Sequence, residues 1–120
     1  QTMSAETEVY AALSGHAGLA AIVSTRIYPD VLPEKTIYPA VVFSRESTNP
    51  IRSISGHYFG ADVSLQIGCW GNTRTEADAA GTQAEAALIA SGMFPRGKNS
   101  GYDPETDLYA SIIEVEILEQ

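Results

Sequence analysis

Residues Ala61–Trp70 read Ala-Asp-Val-Ser-Leu-Gln-Ile-Gly-Cys-Trp. Val63, Leu65, Ile67 and Cys69 alternate with Asp62, Ser64, Gln66 and Gly68. Successive side chains of an extended strand point to opposite faces, so a strict period of two sends the first set to a core and the second to solvent. Such a strand requires neighbours at its sides and a layer over its apolar face.

That layer follows at once. Gly71-Asn72 ends the strand, and Thr73 with Glu76 matches a capping box, in which a hydroxyl and a carboxylate satisfy the free amides of a first helical turn. The helix runs to about Ala90 and stops at Ser91-Gly92. Ala77, Ala80, Gly81, Ala84, Ala87 and Leu88 form a stripe of small residues, which predicts a helix lying flat on the preceding strand. Gly81 costs about 1 kcal/mol against alanine in a helix interior, so its presence points either to close backbone approach or to an accident of packing.

Outward from this unit, Ala40–Glu46 reads as a second strand introduced by Pro39. Ser47–Gly60 carries Asn49-Pro50 and Gly56, which is loop chemistry, and a loop of this length is usually functional. Met93–Glu105 is a second polar loop, and Asp107–Leu118 is a closing strand with Ile113, Val115 and Ile117 on one face. Before the sheet, Ser4–Ser14 reads as a helix capped by Ser4, with Val9 and Leu13 on its apolar stripe. Leu19–Ser24 reads as a shorter helix, and Ile27-Tyr28-Pro29 as a step into a loop. The expected fold is α+β in a single domain, residues 1–120. A small mixed or antiparallel sheet of about four strands is packed by the alanine-rich helix, with helices at the N-terminus and the first two strands antiparallel.

Composition limits function. Cys69 is the only cysteine and there are two histidines, which excludes an intrachain disulfide and a cysteine-rich zinc site. Fifteen acidic residues against seven Lys and Arg give a formal charge of −8. The cations are scattered, whereas DNA binding by counterion release needs them clustered. No apolar run is long enough to cross a bilayer as a helix. Residues Gln1–Ser4 have no basic region leading into an apolar core, so no secretory leader is expected.

Nothing assembles into a catalytic set. Gly-x-Ser-x-Gly is absent, and Ser55-Gly56 and Gly97-Lys98 do not make a phosphate loop. His57, in the first long loop, has the chemistry to titrate or hold a metal, and a hydrolase using it with nearby carboxylates is one reading to weigh. His16, after Gly15, suits capping of helix carbonyls. Cys69 reads as a small buried hydrophobe. Asp103, Glu105 and Asp107 lack the central glycine and terminal glutamate of an EF-hand and read as a solvated turn. Trp70 is an interface anchor or a sheet-edge core residue, since tryptophan serves both.

The order of several segments carries a resemblance. Glu8–Leu13 is followed by Ala21-Ile22-Val23, Arg26-Ile27-Tyr28-Pro29 and Tyr38-Pro39-Ala40-Val41-Val42-Phe43. Gln66-Ile67-Gly68-Cys69-Trp70 then runs into the alanine-rich helix, with Tyr102–Tyr109 leading to a final strand. Across nearly its whole length the chain resembles the tail-completion, or tail-terminator, family of long-tailed (siphovirus-like) phages and related gene-transfer particles. The resemblance implies a structural virion protein without catalytic residues or cofactor, assembled in the host cytoplasm. It implies a homohexameric ring capping the head-proximal end of the tail tube, touching the tail tube protein and the head-completion or stopper protein. The resemblance also implies that DNA passes through the central hole without specific binding. A ring subunit needs two heterologous surfaces, and the strand edges and long loops are where they are expected. Ile51, Ile54, Tyr58 and Phe59 in the first loop, with Trp70, are the candidate interface residues. Another head–tail joining protein, or a small-ligand-binding α+β domain, remains an alternative.

Overall fold

The computed structural model describes residues 5–24, 26–30, 36–52, 58–93 and 95–119, the side chains of 5, 49–52, 58–61 and 118–119 excepted. In chain order the elements are α1 (Ala5–Ser14), α2 (Ala17–Val23), β1 (Ile27–Pro29), β2 (Ala40–Arg52), β3 (Tyr58–Gly71), α3 (Arg74–Ala90), β4 (Pro95–Asp103) and β5 (Leu108–Glu119). They make one five-stranded mixed sheet, ordered β1-β2-β3-β5-β4, with β1 parallel to β2 and every other pair antiparallel. The class is α+β, as expected, with one strand more than the sequence suggested.

Strand β3 sits at the centre and behaves as its alternation requires. Val63, Leu65, Ile67 and Cys69 are fully buried, facing Val115 and Ile113 of β5 in register. Helix α3 covers them. Its N-cap Thr73 accepts a hydrogen bond from Glu76 N at 3.1 Å, and Glu76 Oε1 accepts from Asn72 N, one residue earlier than the standard box. Arg74 ties the helix start to the sheet, donating to the carbonyls of Ala110 and Gly101 at 2.8 Å each while its guanidinium lies over the Tyr109 ring. The small stripe faces the sheet: Ala77, Ala80, Gly81, Ala84, Ala87 and Leu88 are all buried. At Gly81 the approach is closest, because a Cβ there would lie 2.3 Å from Ser111 Oγ and 2.7 Å from Ser111 Cβ. Val9 and Leu13 of α1 and Leu19 and Val23 of α2 complete the core on this same side. An ion pair from Glu6 to Arg45 and a tilted Tyr10–Phe43 ring contact at 6.1 Å fasten α1 to β2.

Four local expectations are corrected. Ser47–Gly60 is not a long loop: β2 continues to Arg52 and β3 begins at Tyr58, paired as far as Arg52↔Tyr58. Register shifts at Arg45/Ser47 and at Ile51/Arg52 absorb the irregular sequence, and Pro50 is tolerated where, among the described residues, no strand lies on the outer side of β2. Met93–Glu105 contains a nine-residue strand, β4, held by pairing to β5 although most of its side chains are exposed. Ile27–Pro29 is a short parallel strand, because Ile27 is buried and pairs with Val41. His16 occupies the N-cap position of α2 without a capping bond, its Nε2 lying 3.2 Å from Gln83 Oε1. Ser4 and His57 lie outside the described residues.

Candidate assembly surface

All three helices pack on one face of the sheet, and pairing register identifies the residues on the other. They are Val42 and Ser44 of β2, Asp62, Ser64, Gln66, Gly68 and Trp70 of β3, and Ile112, Glu114 and Glu116 of β5. This helix-free face divides along the strands. At one end the Trp70 indole lies over Gly68, where a Cβ would meet Nε1 at 3.0 Å, and Val42 and Ile112 flank it. Asp30, Ser44 and Gln66 close a groove of about 180 Å³ with these residues. Toward the other end the face is acidic, carrying Asp62, Glu114 and Glu116, with Arg96 paired to Glu116 at 2.7 Å.

Both lateral edges are largely open. On one side β1 pairs only Val41–Phe43 of β2, extended by Val41 N to Arg26 O and by Asp30 N to Phe43 O. From Ser44 onward no strand among the described residues pairs the outer side of β2. On the other side, the whole outer edge of β4 has no strand partner among the described residues. Unpaired edges template further strand pairing. β4 carries the usual restraints on uncontrolled association: Pro95, Lys98 and a register shift at Pro95/Gly97.

The β2–β3 hairpin runs past the last β3–β5 pair, Ala61↔Glu119, to form an arm of paired backbone. Ile51, Tyr58 and Phe59 stand in its strands; their side chains, and Ile54 altogether, lie outside the described residues. Trp70 is far from them. Twelve residues of extended chain separate it from Tyr58, roughly 40 Å at a strand rise of about 3.3 Å per residue. The described members of the predicted interface set therefore occupy two places, Ile51, Tyr58 and Phe59 in the arm and Trp70 at the far end of the helix-free face. The segment that carries the β4 edge was expected as a loop surface and not as a strand, since an exposed edge strand has no apolar alternation to betray it.

Other chemistry-bearing groups have structural settings. Cys69 is a free thiol sealed beneath α3, and burial pushes its pKa up to about 12. Asp103 organises its own turn, its carboxylate accepting from Glu105 N and Thr106 Oγ1 at 3.0 Å each. Tyr102 OH donates to Asp107, and that hydrogen bond raises the tyrosine pKa. Among the described residues no three His, Cys, Asp or Glu side chains converge as metal ligands, and no helix is long and apolar enough to cross a membrane.

Comparison with known proteins gives these surfaces a context. No curated protein matches the sequence. A chain from the virion of a native gene transfer agent particle has a similar structure, with a TM-score of 0.79 and 20% identity, covering 98% of this chain and 96% of that one. At that identity the likeness establishes the fold. The family model for tail completion protein gp17 matches residues 7–120. The chain belongs to the tail completion protein gp17 family and is a structural protein of a phage-type virion tail.

Proposed function

We propose that this protein is the tail terminator: six copies close into a ring on the head-proximal end of the tail tube, end tube polymerisation and offer a surface to the head-completion protein. It acts by association and performs no reaction. The observation that supports a ring most directly is a sheet whose two edges, among the described residues, both lack strand partners over most of their length and carry different side chains, since heterologous surfaces generate rings when the rotation closes. The acidic stretch of the helix-free face suits a channel for DNA, because carboxylates repel phosphate and give it nowhere to bind. The hairpin arm, with Ile51, Tyr58 and Phe59, and Ile54 between its strands in sequence, is what we assign to contact with the tube or a neighbouring subunit.

The test is made in particles. Without this chain, tubes should run past their normal length and fail to join filled heads. Tubes of correct length that attach normally would refute the proposal. Ile54→Ala and Tyr58→Ala should weaken capping while each isolated subunit keeps its melting temperature. A joining protein of the stopper type would instead leave tube length unchanged and block only head attachment.

A further inference from the structure

We infer that the ring subunits are joined by backbone pairing, the outer edge of β4 in one copy adding antiparallel to the outer edge of β2 in the next, along Ser44–Asn49. This rests on the ring reading above and specifies its seam. The occupant of each open edge is a second copy of this chain.

Direction is the first argument. Strands β2, β3, β5 and β4 alternate, so β4 runs opposite to β2. A neighbour in the same orientation thus presents a β2 antiparallel to β4, and the alternation continues across the seam.

Level is the second argument. Tracing register across the sheet, Lys98 of β4 lies opposite Ile113, Ile67 and Phe43 in turn, and Gly101 opposite Ala110, Trp70 and Ala40. The usable β4 edge, Lys98–Asp103, therefore stands level with Phe43 and the residues before it, of which Val41–Phe43 already pair with β1. Among the described residues, the part of β2 without an outer strand partner begins at Ser44. Bringing the two together requires each copy to shift along the strands by about five or six residues, roughly 18 Å at about 3.3 Å per residue. Across one copy, from one β2 to the next, there are four strand spacings of about 4.8 Å, roughly 19 Å. That ratio sets a strand tilt of about 43°, within the 35–45° at which sheets close into barrels. After the shift, β1 at Val41–Phe43 and the neighbour's β4, with Asp103 towards Ser44, follow one another along one β2. Two edges that mismatch within one copy are offset by the amount a closed cylinder needs.

Closure also decides which face is inside. Three helices cover one face, so the cylinder closes with them outward, and Asp62, Glu114 and Glu116 line the channel.

Hydrogen–deuterium exchange on the full chain, alone and assembled on tail tubes, tests the seam. Assembly should slow exchange at least tenfold at the outward amides of Ser44–Asn49 and at alternate amides of Lys98–Asp103, the others being already bonded to β3 and β5. Asn99→Pro and Ser100→Pro act on neighbouring amides that point to opposite sides of β4. One should abolish the ring with little change in subunit melting temperature, and the other should destabilise the subunit. A six-copy ring whose two edges exchange as fast as in the single subunit overturns the seam and leaves the ring intact. A chain that caps tubes as a single copy overturns both.

Discussion

Gly81→Ala should destabilise the protein, although alanine is the better helix former. In an exposed helix interior the substitution gains about 1 kcal/mol. Here the added Cβ would stand 2.3 Å from Ser111 Oγ and 2.7 Å from Ser111 Cβ. Rotating the serine moves the hydroxyl but leaves its Cβ in place, so α3 must lift from β5. Overfilling a packed interior in this way costs about 1–3 kcal/mol, which leaves a net loss of roughly 1 kcal/mol. For a chain of this size that is a fall of about 4 °C in melting temperature. Ser111→Gly removes both obstructing atoms, and among the described residues Ser111 Oγ has no hydrogen-bond partner to lose. The double variant should therefore be more stable than the two single effects sum to, with a coupling of about 1 kcal/mol or more. Urea unfolding of the four proteins, at concentrations where the subunit is monomeric, completes the cycle. If Gly81→Ala raises stability by the helix-propensity gain, or if the two changes simply add, the helix does not lie on Ser111 as described.

Two further outcomes follow from the same unit. Thr73→Ala removes the acceptor for Glu76 N and should cost about 1 kcal/mol in urea unfolding, with Thr73→Ser nearly neutral. Cys69 should resist thiol reagents at pH 8 until the chain unfolds. Because its folded pKa is about 12 against an ordinary 9.0, its contribution is complete below pH 9 and is lost as pH rises from 9 towards 12, with a slope approaching about 1.4 kcal/mol per pH unit. Cys69→Ala should flatten that alkaline decline, and an unchanged profile would place the proton elsewhere.

Legibility tracked burial. β3 and α3 were readable because half their positions face the core, so apolar residues recur at 2.0 and 3.6 positions. Gly81 was readable for a related reason: a residue that weakens a helix and sits on its packed face implies contact. Pro95–Asp103 has no such signal, since β4 buries little and is held by backbone pairing to β5. β2 beyond Glu46 was obscured by Asn49-Pro50, which marks a turn in most contexts but is accommodated in a shifted edge strand. Ile27–Pro29 is too short for any periodicity, and its pairing is parallel to a partner some 14 residues on.

The same physics explains why the proposed assembly surface was the least legible part of the chain. A surface that joins identical copies through main-chain hydrogen bonds asks little of side chains beyond not obstructing them. It must also remain polar enough to stay soluble before assembly. Arg96, Lys98, Asn99 and Ser100 on β4, and Ser44, Ser47 and Thr48 on β2, satisfy both demands, and they leave a stretch that resembles loop. The candidate anchors Ile51, Ile54, Tyr58, Phe59 and Trp70 were visible because they are apolar among polar neighbours, but Trp70 stands at the far end of β3 from Tyr58 and Phe59. Side-chain character marks where a tube or neighbour is gripped, whereas the seam that closes a ring is written in register. Register becomes visible only when Lys98 is traced through Ile113 and Ile67 to Phe43. The prediction with most leverage is therefore the one on alternate β4 amides, because an anchor-driven ring would leave them exchanging freely.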